Sequence, residues 1–155
     1  MNVEPNASEK AKIIDNSAEV LRKIGIEKPK VAVLASIEVV NPKMQATVDA
    51  AILCTMNKRK QIKNCIVDGP FAMDNAISKE ACMHKNIDSE VGGDPDLLLM
   101  PDLNAANSTN KTINFLGGAT MAGVILGAKV PVVLVSRSDT AASKLASLAL
   151  ASVIS

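Results

Sequence analysis

The run Val31-Ala32-Val33-Leu34-Ala35 is the stretch of sequence that decides the fold. It is short, continuous and apolar, and Pro29 leads into it, which is typical of a strand buried on both faces. Two more such runs follow, Cys65-Ile66-Val67 and Leu97-Leu98-Leu99-Met100. Strands that are apolar throughout, rather than alternating, predict a mainly parallel sheet with helices on both faces.

The segments between these runs have helical periodicity. Ala7 to Ile24 has the apolar spacing of an amphipathic helix, with Asn6 or Ser8 as its cap and Gly25 at its end. Four more helices are predicted, namely Asn41-Pro42 to about Asn57, Asp74 to Lys85, Asn104 to Leu116 and Thr140 to Ile154. Two closely spaced apolar runs, Gly123 to Gly127 and Val130 to Val135, precede the last helix. The alternation predicts one α/β domain over residues 1–155.

The composition excludes several classes of protein. With 17 basic and 16 acidic residues the net charge is only +1, and the two Phe are the only aromatic side chains apart from His, so a nucleic-acid interface is not expected. The basic cluster Lys58-Arg59-Lys60 with Lys63 is either a solvated helix end or a contact for the phosphate of a nucleotide-type ligand.

The cysteines and the hydropathy point to a reducing, aqueous compartment. Cys54, Cys65 and Cys82 stand far apart and His84 is the single histidine, so we expect free buried thiols and no metal site. No apolar run approaches a membrane span, and the polar first twelve residues do not have the pattern of a signal peptide. The sequence therefore predicts a cytoplasmic location.

Polar residues follow four of the predicted strands. In open α/β sheets ligands bind beyond the carboxyl ends of the strands, so we expect these segments to converge on one cleft. They are Ser36-Ile37-Glu38, Asp68-Gly69-Pro70, Pro101-Asp102-Leu103-Asn104 and Ser136-Arg137-Ser138-Asp139.

Each of these segments also has a purely structural interpretation. Asp68-Gly69 would be only a turn, and Asp102 or Asn104 only a helix cap. Ser136 would be a cap, and Arg137 would pair with Asp139 on the surface. Arg137 is nevertheless the best anion ligand among them, because its planar guanidinium can hold a phosphate by two hydrogen bonds. The hydroxyl of Ser136 beside it would hydrogen-bond a thiol or an oxyanion.

The same segments resemble the phosphate acetyl/butyryltransferase family, and most of all its phosphate butyryltransferases. The similarity runs through nearly the whole chain. Its segments are Pro29 to Val33, Glu38 to Met44, Thr47 to Ala51, Gln61 to Lys63, Val67 to Ser78, Met100 to Leu103 with Asn107 and Lys111, and Gly127 to Leu134 leading into Ser136-Arg137-Ser138-Asp139.

The resemblance implies an acyltransferase that converts acyl-CoA and inorganic phosphate into acyl phosphate and CoA, without metal or organic cofactor and with CoA as substrate. It also implies the fold of the isocitrate/isopropylmalate dehydrogenase-like enzymes, with two α/β domains flanking a cleft. A homo-oligomer is expected on a separate ground, because the apolar strands that a missing half-domain leaves exposed would favour self-association. Ser136 matches the family's serine at the reacting sulfur, and Arg137 matches its phosphate-holding arginine. Asp68, Gly69, Pro70, Asp102, Asn104 and Asn107 would line the cleft and position substrate.

Three departures from the family pattern bear on these expectations. Family members are roughly twice as long, so this chain resembles their C-terminal half. Acetyl-type members have an aspartate, proposed as the general base, at the position where this chain has Ser143. Asp139 is therefore the nearest carboxylate here. A family glycine is replaced by Ala106, which would cost about 1 kcal/mol or more if that position needs a positive φ or a close approach of the ligand.

Two functions remain open, beside a weaker third, a relative that acts on other acyl groups or on a dehydrogenase-like dicarboxylate. The first is a phosphate acyltransferase for a short acyl group, butyryl by resemblance, that needs the other half of the family fold for activity. The alternative is a non-catalytic remnant that binds CoA or phosphate ligands or only oligomerises, since exposed apolar strands favour self-association.

Overall fold

A three-stranded parallel sheet lies at the centre of the computed structural model, which describes residues 2–155. β1 (Lys30–Leu34) lies between β2 (Ile66–Phe71) and β3 (Leu97–Leu99). Val31 is in register with Val67 on one side and Leu97 on the other. The order β2-β1-β3 reverses direction between β1 and β3, which is the topological switch point of a doubly wound sheet.

Six helices surround the strands within residues 2–155. They are α1 (Ala7–Lys23), α2 (Gln45–Lys58), α3 (Met73–Ile77), α4 (Lys79–His84), α5 (Leu103–Phe115) and α6 (Ala141–Val153). The predicted first helix is confirmed: Asn6 accepts from the Glu9 backbone N–H at 3.0 Å while the Glu9 carboxylate accepts from the Asn6 N–H at 2.9 Å. Gly25 follows at φ +101°, a conformation that glycine adopts without strain.

The sheet is covered on both faces, as predicted. Val31 and Val33 pack with α1 and α2 in one apolar cluster, while Ala32 and Leu34 join Phe71 in a second cluster on the opposite face. Burying a valine, leucine or phenylalanine side chain stabilises the fold by roughly 1.5–3 kcal/mol. Continuous apolar strands are therefore what this arrangement requires, and the prediction of an α/β fold with a parallel sheet is confirmed.

Three predicted boundaries were wrong. The second helix begins at Gln45 and not at Asn41, because the Asn41 side chain accepts from the Lys43 N–H at 3.0 Å and so forms a turn of its own. The predicted helix from Asp74 to Lys85 is two helices that meet at Ser78, whose hydroxyl accepts from the Ala81 N–H and caps the second. The strand that was expected to close at Asp68 continues to Phe71.

The last two strands form a hairpin outside the parallel sheet. β4 (Val124–Ile125) pairs antiparallel with β5 (Val132–Val133), and α6 packs against both strands. Neither apolar cluster of the described residues includes the hairpin or α6. Leu145 and Leu148 of α6 remain 69 % and 60 % exposed, so the apolar side of this helix has no partner within residues 2–155.

No helix within residues 2–155 combines the length and the apolar character needed to cross a membrane.

Candidate functional site

The Ser136–Asp139 segment is a tight turn between β5 and α6. The Asp139 carboxylate accepts from the Ser136 backbone N–H at 2.6 Å, and the Asp139 N–H donates to the Ser136 carbonyl at 3.1 Å. The Ser136 and Ser138 hydroxyls lie 2.9 Å apart. Thr140 then caps α6 through the Ser143 N–H. These hydrogen bonds fix the backbone of Ser136, and none of them involves the side chain of the next residue, Arg137.

Arg137 projects from this turn into solvent. It takes part in none of the ion pairs of residues 2–155, and Asp139 bonds the Ser136 N–H and not the Arg137 guanidinium. The structural interpretation of Arg137 as the surface partner of Asp139 is therefore wrong. A guanidinium without a protein partner keeps all its donors available for an anion.

Asp102 is the N-cap of α5. Its Oδ1 accepts from the Ala105 N–H at 2.9 Å, which is the structural interpretation that the sequence left open. Asn104 and Asn107 lie three residues apart on the exposed surface of the same helix, so they share one face. Ala106 has helical backbone and no positive φ, so the cost expected from a positive φ does not arise, while the cost expected from a close ligand stays a prediction.

Asp68 lies within β2 and is held by hydrogen bonds from its own chain. Its Oδ1 accepts from the Gly69 N–H at 2.9 Å, and its Oδ2 accepts from the Ser89 hydroxyl at 2.5 Å. The Ser89 oxygen in turn accepts from the Val91 and Gly92 N–H groups at 3.0 and 3.1 Å. Since both acceptor sites of Ser89 are occupied, its proton is directed at Asp68.

Sequence reasoning missed Ser89, because it belongs to no motif. Its only cue is its place in the loop before Gly92-Gly93.

Gly69 and Pro70 form an irregularity where β2 passes β1. Ala32 is in register with Asp68 but Leu34 with Phe71, so β2 contains one more residue than β1 over this interval. Gly69 has φ +150°, and a Cβ there would lie 2.6 Å from the Val33 carbonyl oxygen. Only glycine fits this approach. The predicted turn at Asp68-Gly69 is thus a bulge within the strand.

The thiol of Cys54 lies beneath Asp68. Its Sγ is 4.0 Å from Asp68 Oδ1 and 3.4 Å from the Gly69 carbonyl oxygen. Burial, reinforced by the negative charge of Asp68, raises the pKa of Cys54 to about 12. The thiol is therefore protonated at neutral pH and is not a nucleophile.

An ion-pair cluster follows the carboxyl ends of β1 and β2. Lys85 Nζ lies 3.4 Å from the Glu38 carboxylate and 3.1 Å from that of Asp74. The hydrogen bond between Lys85 and Asp74 raises the pKa of Lys85 and lowers the pKa of Asp74. The predicted polar segment at Glu38 is thus tied to the segment that follows β2.

A cavity of about 730 Å³ separates the parallel sheet from the hairpin. Its walls come from α1, β3, the start of α5 and β4, and they include Leu98, Met100, Asp102, Ala106, Ile125 and Leu134. Asp102 and Leu134 therefore face a common space. Leu134 lies two residues before Ser136 in the chain. Asp68, Ser136 and Arg137 are not among the lining residues. That all four polar segments converge on one cleft stays a prediction.

Within residues 2–155, no three His, Cys, Asp or Glu side chains are placed to hold a metal ion together.

The family model described as phosphate acetyl/butaryl transferase matches residues 1–152. The chain belongs to this family of acyltransferases, as its sequence motifs indicated.

Relatives and a solved structure agree with this membership. A phosphate acetyltransferase of Thermotoga maritima is 51 % identical over 153 residues, covering 99 % of this chain and 52 % of the relative. A probable phosphate butyryltransferase of Bacillus subtilis is 48 % identical over 151 residues, covering 97 % of this chain and 50 % of the relative. The crystal structure of a branched-chain phosphotransacylase from Enterococcus faecalis superposes with a TM-score of 0.91 at 38 % identity, covering 99 % of this chain and 55 % of that one.

The chain thus spans about half the length of the relatives that it matches.

Proposed function

We propose that this chain supplies one half of a phosphate acyltransferase, which exchanges a short acyl group between coenzyme A and inorganic phosphate once the remaining half of the family fold is present. The observation that carries the proposal is Arg137, an exposed guanidinium without an ion-pair partner in residues 2–155, next to the fixed Ser136. Membership of the family over residues 1–152 supports it.

The proposed chemistry uses this turn. A phosphate oxygen attacks the thioester carbonyl carbon, the C–S bond breaks, and the CoA thiolate leaves and takes up a proton. Arg137 holds the phosphate by charge-assisted hydrogen bonds, and the Ser136 hydroxyl lies at the reacting sulfur. Asp139 fixes the Ser136 N–H at 2.6 Å and is the nearest carboxylate for proton transfer. We expect the reaction to need no metal or organic cofactor, as the family resemblance implies, with CoA as a substrate.

The other predicted site residues would position substrate. Asn104 and Asn107 present amides on one face of α5, and Asp102 lies at the start of that helix beside the large cavity. Gly69 and Pro70 shape the bulge beside Asp68. Butyryl is the proposed acyl group, although relatives with both acetyl- and butyryltransferase names match the chain.

The test is an assay of thiol release from butyryl-CoA and phosphate. This chain is mixed with the half of the Bacillus subtilis relative that it does not match. We expect activity only in the mixture, and a loss of at least about 100-fold with Arg137→Ala, a magnitude typical of losing a charge-stabilising donor. Arg22→Ala, an exposed arginine of α1, is the matched control and should keep full activity. Full activity of Arg137→Ala would remove the assignment.

The alternative is a non-catalytic protein that binds CoA or phosphate ligands through the unpaired Arg137. Calorimetry with CoA and butyryl phosphate separates the two functions. Binding by the mixture without turnover supports a ligand-binding remnant, and turnover excludes it. Cytoplasmic location and homo-oligomerisation stay predictions.

A further inference from the structure

The free edge of β3 borders the large cavity. Ile66 N–H donates to the Pro29 carbonyl and Ala35 N–H to that of Phe71, so the odd-numbered backbone groups of β1 point toward β2. Ala32 therefore points toward β3, where its register partner is Leu98. In a parallel ladder Ala32 bonds to the residues on either side of that partner. The N–H and C=O of Leu98 are thus left at the outer edge.

The hairpin presents a second free edge to the same space. β4 pairs with β5 alone, and residues 123–126 line the cavity opposite residues 97–100 of β3. Within residues 2–155 no backbone hydrogen bond joins the two sheets. Two strands that each have an unpaired edge therefore border one cavity, and the walls between them are mainly leucine, isoleucine, valine and methionine side chains. Such an arrangement is a template for one more strand.

We propose that this cavity is the seat of an extended apolar segment from the remaining half of the family fold, which pairs with the Leu98 edge and joins the parallel sheet to the hairpin. The inference rests on the proposed function only in that both invoke that remaining half. A relative superposes on 99 % of this chain with a TM-score of 0.91 yet is covered to only 55 %, so the family carries further chain on the same scaffold.

The position of the first residues supports this occupant over a second copy of the chain. Asn2 and Pro5 line the cavity, and the Val3 carbonyl accepts from the Leu103 N–H at 3.0 Å. By resemblance, the remaining half precedes these residues in the family. A segment that joins the chain there emerges beside the cavity without crossing the molecule.

Hydrogen exchange at single amides tests the pairing directly. The probe is the unmatched half of the Bacillus subtilis relative, added as a separate polypeptide to the full chain. We expect a complex with one copy of each by light scattering, and exchange of the Leu98 amide slowed at least about tenfold in the complex. No complex, or a complex with unchanged exchange at Leu98, would overturn the proposal. Slow exchange at Leu98 in a homodimer without the probe would overturn it as well.

A matched pair of variants isolates the edge hydrogen bond. Leu98→Pro removes the outward N–H, and proline is tolerated where an edge N–H faces outward. Leu98→Ala removes more of the side chain than Leu98→Pro does but keeps the N–H, so weaker binding by Leu98→Pro cannot come from lost apolar surface. We expect Leu98→Pro to bind the probe about tenfold more weakly than Leu98→Ala, and equal affinities count against the proposal.

Two readouts keep the test decisive. If circular dichroism shows that Leu98→Pro is unfolded, the exchange of Leu98 in the unmodified chain decides. Thiol release is measured in the same mixture. A complex with a protected Leu98 amide and no acyl exchange supports the docking of the segment in this cavity and counts against the proposed function. Acyl exchange with an unprotected Leu98 amide supports the proposed function and counts against the docking.

Discussion

Lys10 and Asp49 form an ion pair in the interior between α1 and α2. Their Nζ and Oδ2 atoms are 2.6 Å apart, and the two side chains are only 5 % and 4 % exposed. Gln45 donates a further hydrogen bond to Asp49 Oδ1 at 2.8 Å. The pair fixes how α1 lies against α2, since neither charge has another compensating partner among the ion pairs of the described residues.

We expect Lys10→Ala to lower the free energy of unfolding by about 3–5 kcal/mol, because it leaves a buried carboxylate without a counter-charge. Urea denaturation measures the change. Lys12→Ala, on the exposed side of the same helix, should stay within about 0.5 kcal/mol of the unmodified chain. The apolar double variant Lys10→Met/Asp49→Leu should be more stable than Lys10→Ala. If it were less stable, the buried charge would not be the cause.

At the scale of single elements, the start of α5 separates a structural role of Asp102 from a functional one. Asp102→Ala removes the cap and should destabilise the chain by about 1 kcal/mol, while Asp102→Asn keeps an oxygen that accepts from Ala105. Urea denaturation of the chain and thiol release by the reconstituted mixture are measured for both variants. If Asp102 also positions substrate, the stable Asp102→Asn loses activity. Unchanged activity would reduce Asp102 to a cap.

The sequence predicts the elements better than their ends. The apolar runs at Val31 and Leu97 favour strands between helices, because they are short and lie next to helical segments that can cover both faces of a sheet. Asn41 and Ser78 were misjudged for one physical reason. The side chain of Asn or Ser accepts a hydrogen bond from a backbone N–H two or three residues later, both in a turn and at the start of a helix. Residues distant in the chain decide which of the two structures forms.

The candidate site was less predictable than the fold. Ser136, Arg137 and Asp139 were proposed because their residue types fit anion chemistry and the family pattern, and their role stays a prediction. The contact of Ser89 with Asp68 joins residues 21 positions apart, and no local pattern announces it. The extension of β2 through Gly69 likewise depends on the carbonyl of Val33 in the neighbouring strand.

At the scale of the whole molecule, stability should decline in alkali. Burial raises the pKa of Cys54 to about 12 and that of Cys65 to about 11, against an ordinary value of 9.0. Both thiols then ionise more easily in the unfolded chain, so their contribution to stability is complete below about pH 9 and is lost as the pH rises toward 11–12.

Urea denaturation at a series of pH values from neutral into alkali checks this expectation. The variant Cys54→Ala/Cys65→Ala will be less stable at neutral pH, since it loses buried atoms. Its free energy of unfolding should nevertheless fall less steeply above pH 9, the ordinary thiol value, than that of the unmodified chain. Parallel curves would show that the two thiols do not govern the decline.

The position of Lys85 between Glu38 and Asp74 has a consequence for the outer rim of the sheet. One ammonium group bridges two stretches of backbone that no strand pairing connects. Solvent reaches all three side chains, so dissolved ions weaken this bridge, most strongly at about 1 M salt, where the Debye length falls to about 3 Å. The separation of the two stretches thereby becomes sensitive to ionic strength, while the buried strands beneath them do not respond.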